Sequence, residues 1–238
     1  MKISDIYKPV RKHKTVHGSI SGNYAFRGQN TIWIESTLER DFLIKQEFDK
    51  SVIDIVSQPI QIPYITNKGN ESTYTPDFLV QFKDSEFYHP DSVQKIVLAE
   101  IKPNKKLREE WHLFRPKFKA AMAFAKSKGW VFHIYDETKI RDKRLSNIVY
   151  LKRFKGSEFP QVDSENIITC LKSLGSCSIV NLSENMNVSG KEQLMVISNI
   201  WHLITNRRII CDMTKILNNE TLVWVSNNIE EKDDQYDF

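Results

Sequence analysis

Thr75-Pro76-Asp77-Phe78-Leu79-Val80-Gln81-Phe82 and Lys95-Ile96-Val97-Leu98-Ala99-Glu100-Ile101-Lys102-Pro103 are the two stretches that decide the fold. Each is an apolar run of strand length with its acid near one end, and a polar segment from Lys83 to Gln94 separates them. That is the pattern of an antiparallel hairpin with a long loop. Alternate side chains of a strand share a face, so Glu100 and Lys102 project to one side and Asp77 can join them there. Unpaired charge is costly beside apolar strands, so two carboxylates and a lysine in this setting need a reason. A hard divalent cation supplies one. Hydrolysing a phosphodiester takes charge stabilisation on the phosphoryl oxygens and an activated water. Mg²⁺ accepts oxygen ligands, keeps several waters and is bound by one or two carboxylates plus a substrate phosphate. Asp77, Glu100 and the Ile101 carbonyl can furnish that coordination. Lys102 can hold the attacking water, help deprotonate it, or neutralise the pentacovalent phosphate, and the sequence leaves these roles open. The plainer reading is a set of solvated charges at strand ends, with Lys102 paired to Asp77 or Glu100. A bare Pro-Asp followed by acid-x-Lys arises by chance in roughly one chain in ten of this length. The weight therefore rests on the apolar strands around it.

Outward from the hairpin, Pro103 ends the second strand, and residues 105–128 read as helix interrupted at Pro116. That proline either kinks the segment or opens a second helix at its first position. Gly129 stops the helix, and Trp130–Tyr135 is a third core strand, expected parallel to 95–102 through a crossover. Upstream, Thr31–Ile34 is a short strand. Leu38, Phe42 and Leu43 recur at helical spacing, giving a helix over about 36–48. Ser36 and Glu39 have capping-box spacing. The same helix sets Glu39 on the side that faces the sheet, which makes it a third candidate ligand. On pattern alone the cap is the better account of Glu39. Residues 52–65 read as extended, broken by Pro59 and Pro63. Residues 2–14 form a basic arm, either solvated or lying on phosphates as a strand.

Residues 139–151 are basic and amphipathic, and Lys155-Gly-Ser-Glu-Phe-Pro160 is the best domain boundary. The division expected is 1–153 and 161–238. The second unit reads as a helix ending at Gly175, a helix through Leu194–Leu203, a strand at 208–211, a helical turn at 212–218 and a strand at 221–225, an order compatible with a winged helix-turn-helix. The tail from Glu230 to Asp237 is acidic. Of 238 residues 40% are hydrophobic and 27% charged, an ordinary globular balance, and the net charge of +4 with a pI of about 8.8 permits a nucleic-acid partner without demanding one. Cys170, Cys177 and Cys211 have no metal-ligand spacing and look like reduced thiols. No stretch approaches the roughly 20 apolar residues needed to span a bilayer, and the start lacks a signal-peptide core. The compartment expected is the cytoplasm, with no membrane partner.

The chain resembles TnsA, the endonuclease subunit of heteromeric cut-and-paste transposases, and does so beyond the acidic motif. The resemblance runs through Glu35-Ser-Thr-Leu-Glu-Arg-Asp-Phe-Leu, Glu47-Phe-Asp-Lys-Ser-Val, Gln58-Pro59, Tyr74-Thr-Pro-Asp-Phe-Leu-Val, Glu100-Ile-Lys-Pro, and Trp130 to Arg141, together about residues 18–152. It implies an α/β, restriction-endonuclease-like mixed sheet of four or five strands flanked by helices, followed by a small winged-helix-like domain. It also implies catalytic Glu39, Asp77, Glu100 and Lys102, with Glu39, Asp77, Glu100 and the Ile101 carbonyl on Mg²⁺, for which Mn²⁺ substitutes. Gln58 could touch this site from its neighbouring strand or serve structurally. The implied reaction is cleavage of the 5′ strands at double-stranded transposon ends. The implied partners are a TnsB-type DDE transposase and a TnsC-type AAA+ ATPase. Two other readings stay open. One is a stand-alone restriction or repair nuclease on the same fold. The other is a non-catalytic DNA-binding regulator in which Arg207, Arg208 and Lys215 matter most.

Overall fold

The computed structural model describes residues 1–10, 20–83 and 96–225, arranged in two compact units, Met1–Arg141 and Asp142–Phe238. The first is built on a four-stranded mixed sheet of β3 (Val52–Ser57), β6 (Phe78–Phe82), β7 (Ile96–Ile101) and β8 (Val131–Tyr135), in that order. The expected hairpin is present: β6 and β7 run antiparallel with Phe78 opposite Ala99 and Gln81 opposite Ile96. The segment from Lys83 to Gln94 lies outside the described residues beyond Lys83. The expected crossover is also present, with β8 parallel to β7 after helix α3 (Asn104–Ser127). The strand expected over 75–82 starts later: the main-sheet strand opens only at Phe78, and ahead of it β5 (Glu71–Tyr74) pairs with β4 (Ile62–Ile65) in a separate ribbon. Proline at 76 has no N–H to give a ladder, which suits the break.

Both faces of the sheet are covered, which is why β6 and β7 read as unbroken apolar runs. Phe78, Val80, Val97 and Ala99 pack under α2 (Thr37–Phe48) and the β1 (Gly22–Phe26) and β2 (Asn30–Ile34) hairpin. Leu79 and Leu98 face the opposite way, onto Phe114, Phe118, Ala121 and Ala125 of α3. Strand parity then places Asp77 with Leu79, and Glu100 with Leu98, on the α3 side.

Two details of α3 follow from its residues. Pro116 cannot donate to the carbonyl four residues back, and that carbonyl, of His112, instead accepts from Asn67 Nδ2 at 2.6 Å. The non-helical backbone lies at Glu110, so the break precedes the proline that the sequence suggested as its site. At the far end Gly129 takes φ +72° and the Trp130 N–H bonds the Ala125 carbonyl at 2.8 Å, a Schellman closure. A methyl group at Gly129 would meet no neighbour within 4 Å. Gly129→Ala therefore carries only the left-handed backbone cost, an expected loss of about 1–2 kcal/mol readable from a denaturant midpoint.

The described part of the basic arm is docked. A one-turn helix, α1 (Ile3–Ile6), gives its first free N–H groups to Gln81 Oε1 (Ile3, 3.0 Å) and Asp54 Oδ2 (Ser4, 2.7 Å). Those two strand residues are each 2% exposed, and satisfying a helix start explains polar side chains so deep in a sheet. Residues 11–14 of that arm are outside the described residues.

In the second unit, α5 (Lys143–Leu151), α6 (Gln161–Leu174), α7 (Ile179–Asn185) and α8 (Lys191–Thr205) accompany a small sheet ordered β10 (Ile210–Cys211), β11 (Leu222–Trp224), β9 (Ser176–Ser178). The units divide at Asp142, ahead of the Lys155–Pro160 stretch. The α5 segment holds on to the second unit through Tyr150 and Phe154 against Trp201, and through Thr205 Oγ1 donating to the Leu151 carbonyl. The helical turn expected over 212–218 is instead an irregular loop. Buried Asn147 pins it by donating to the Met213 and Lys215 carbonyls and accepting from the Leu217 N–H. The three cysteines are free thiols.

Candidate active site

Asp77 stands one step before β6, and continuing the Phe78–Ala99 pairing sets it opposite Glu100 at the end of β7. Its Oδ2 accepts the Ile101 N–H at 2.7 Å, so the Asp77 carboxylate bridges the open end of the hairpin. Glu100 is 1% exposed. One of its oxygens accepts the Tyr74 hydroxyl at 2.6 Å and the other meets Lys102 Nζ at 3.2 Å. Burial drives Asp77 well above the usual carboxylate range, and the negative charges of Glu100 and Glu39 push the same way against Lys102 and the Ile101 N–H. Burial pulls Lys102 down, but Glu100, Asp77 and Glu39 together outweigh it, leaving the ammonium above its ordinary value. Burial and Glu100 raise the Tyr74 phenol, which fixes it as a donor.

Glu39 does what the capping spacing suggested, with one difference. Ser36 Oγ accepts the Glu39 N–H at 3.1 Å and donates back to Glu39 Oε1 at 2.9 Å, while Glu39 Oε2 takes the N–H of Glu35 rather than that of Ser36. Burial raises the Glu39 carboxyl despite these bonds, and Lys102 is near enough to oppose the rise. Glu39 is thus within electrostatic reach of Asp77 and Lys102 with both its oxygens engaged at the helix start.

Three neighbours were not assigned to the site from sequence. Tyr74 carried no charge to mark it. Lys117 of α3 lies with its ammonium 4.5 Å from the Phe114 ring centre and 5.1 Å from that of Tyr74. Burial, with Lys102 and Lys106, lowers it against the opposing pull of Glu100 and Asp77. Glu35 binds Gln58, whose contact with the site sequence had left open. Gln58 is buried, takes φ +47°, gives its N–H to the Asp77 carbonyl at 2.7 Å and its Nε2 to Glu35 Oε1 at 3.0 Å, and its Oε1 has no partner among the described residues. A left-handed glutamine costs strain, and here it ties the Asp77 backbone to the segment that holds Glu39. No glycine or turn motif announced that conformation.

Among the described residues no group of three or more His, Cys, Asp or Glu side chains is gathered tightly enough to hold a metal ion. The donor chemistry nonetheless suits a hard cation. Asp77 and Glu100 repel one another in a buried setting, and a hydrated Mg²⁺ asks for no more than one or two carboxylates. Acids to gather a cation, with lysines to meet phosphate charge, are what a nuclease requires. The TnsA-like endonuclease N-terminal family matches residues 49–137, which include Asp77, Glu100 and Lys102 but not Glu39. The TnsA endonuclease C-terminal family matches residues 139–213. The chain belongs to the TnsA-like endonucleases, a family of DNA-cleaving enzymes. No curated protein shows a significant match to it. No helix of the described residues is long and apolar enough to cross a membrane.

Proposed function

We propose that the chain is the Mg²⁺-dependent subunit that cuts the 5′ strands at transposon ends, working beside a TnsB-type DDE transposase and a TnsC-type AAA+ ATPase. The observation that carries this reading is the bridge of Asp77 to the Ile101 N–H beside the Glu100–Lys102 pair, inside the span matched to the family. Asp77 and Glu100, with the Ile101 carbonyl, are the groups that would hold the metal, with Mn²⁺ as a substitute. Bound there, the ion would supply charge neutralisation on the phosphoryl oxygens and a more acidic water. Lys102, paired to Glu100, is assigned to negative charge developing on the phosphate. Tyr74 fixes the Glu100 carboxylate through one oxygen, leaving its other for Lys102 or the metal. Glu39 is assigned as a further ligand, whose carboxylate would have to give up its cap contacts to reach the ion. Glu39→Gln keeps an oxygen for the Glu35 N–H and can turn its amide N–H to the Ser36 hydroxyl, reversing that contact, so the expected result is lost cleavage with little change in melting temperature. Retained cleavage would return Glu39 to a purely structural role.

Nuclease chemistry is proposed for residues 1–153, on a sheet of restriction-endonuclease type. Docking of the partners is proposed for 161–238. The helix, strand, helix, helix, strand, strand order from α6 to β11 supports a winged-helix-like reading of that part. A DNA-reading role for its basic cluster is less well supported. Arg208 is paired to Glu165 at 2.6 Å and Lys215 to Asp212 at 3.4 Å. The test of the whole proposal is strand-resolved cleavage of transposon-end DNA in Mg²⁺, with and without the transposase subunit. Cutting of the 5′ strand only with the partner supports it. Cutting by the chain alone supports a stand-alone nuclease instead, and no cutting with an active partner rejects the enzymatic reading.

A further inference from the structure

We propose that Lys117 is the phosphate-binding cation of this site, receiving a non-bridging oxygen of the scissile DNA phosphodiester. The inference rests on the endonuclease reading above and adds a residue to it. Lys102, the lysine of the acidic motif, shares its ammonium with the buried Glu100 carboxylate at 3.2 Å, so only part of its charge is left for a substrate phosphate. Asp77, Glu100 and Glu39 surround that one paired lysine, so a second cation without a carboxylate partner of its own would add to what Lys102 and the metal supply against an incoming phosphodiester. Lys117 is that cation. Among the described residues its ammonium makes no hydrogen bond or ion pair, and it is held over three rings, Phe114 at 4.5 Å, Tyr74 at 5.1 Å and Phe118 at 5.5 Å. Ring faces attract an ammonium but accept none of its three N–H groups in full, so a half-buried lysine in this cage has donors left for an anionic oxygen.

Its position agrees. The α3 side of the sheet is the side onto which Asp77 and Glu100 project, and Tyr74, one wall of the cage, is the residue whose hydroxyl holds Glu100. Phe114 is shared, lying 5.9 Å from Lys102 Nζ as well.

The test uses Lys117→Met, which keeps the stem against the rings and removes the charge, and Lys117→Arg, which keeps the charge. Each is assayed with the partner transposase subunit on transposon-end DNA, by single-turnover cleavage in Mg²⁺ and by binding in Ca²⁺. The DNA carries either a native scissile phosphate, a neutral methylphosphonate there, or one at the next phosphate. The expected result is a cleavage rate about 10²-fold lower in Lys117→Met, an unchanged melting temperature, a salt slope of binding shallower by about one, and partial rescue in Lys117→Arg. The methylphosphonate at the scissile position should weaken wild-type binding and leave Lys117→Met binding no weaker. An equal loss in both proteins, or a loss shared only at the next phosphate, overturns the assignment. A wild-type protein that neither binds nor cuts removes the endonuclease reading, and this inference with it.

Discussion

Asp77→Asn is expected to lower strand cleavage on the order of 10³-fold or more while the protein folds at least as well as wild type. The two halves of this prediction come from the same geometry. Asparagine retains an oxygen for the Ile101 N–H, so the bridge across the hairpin survives. It loses the negative charge that burial, Glu100 and Glu39 make unfavourable. The folded pKa of Asp77 lies above its unfolded value, so the folded state holds that proton more tightly. The charge penalty is absent below the unfolded carboxylate range and grows as pH rises from there through the folded value. At neutral pH the variant is free of it. Its thermal midpoint should match or exceed wild type, by about 2–4 °C for each kcal/mol relieved, and the excess should shrink toward pH 4. Added Mg²⁺ should raise the wild-type midpoint, since a ligand of the folded state stabilises it, and should leave that of Asp77→Asn nearly still. Cleavage within tenfold of wild type would remove Asp77 from the site.

How much of this was legible in the chain depends on whether local pattern or distant contact decides each feature. The β6–β7 hairpin, the α3 crossover and α2 were legible because apolar periodicity and the caps at Ser36 and Gly129 are local signals. That Asp77, Glu100 and Lys102 come together was legible because charge at the ends of apolar strands is itself unusual. Gln58 was quoted but its role was not, because a left-handed glutamine at φ +47° is imposed by the Asp77 carbonyl and Glu35, residues far along the chain. Tyr74 and Lys117 were silent for a similar reason. A tyrosine and a lysine are ordinary residues until strand parity and the rings of α3 bring them to Glu100. The docking of Ile3 and Ser4 was not legible because their partners, Gln81 and Asp54, look like surface residues unless a helix start is known to end on them. The 212–218 loop was read as a turn of helix for want of knowing that Asn147 would claim its backbone.

Lys102→Met is expected to abolish cleavage as completely as Asp77→Asn, but to cost stability where the other does not. Removing the ammonium leaves Glu100, whose side chain is 2% exposed, with the Tyr74 hydroxyl as its hydrogen-bond partner and the more distant Lys117 as the nearby cation. Breaking a fully buried pair costs about 3–5 kcal/mol. The Lys102 side chain is 24% exposed, so solvent screening reduces this to about 1–3 kcal/mol. The pair's pH behaviour has a definite sign. A lysine raised in the folded state contributes stability that is fully present below its unfolded pKa, about 10.4, and is lost as pH rises through the folded value. The deficit of Lys102→Met should therefore be flat between about pH 6 and 9. Adding Glu100→Gln removes the stranded charge, keeps an oxygen for Tyr74 and should restore most of the lost stability without restoring any cleavage. Denaturant midpoints of the two single variants and the double, beside their cleavage rates, separate the two roles. Recovery of the fold without recovery of activity marks a lysine kept for chemistry. A single variant as stable as wild type and still cutting would mark an ordinary solvated charge.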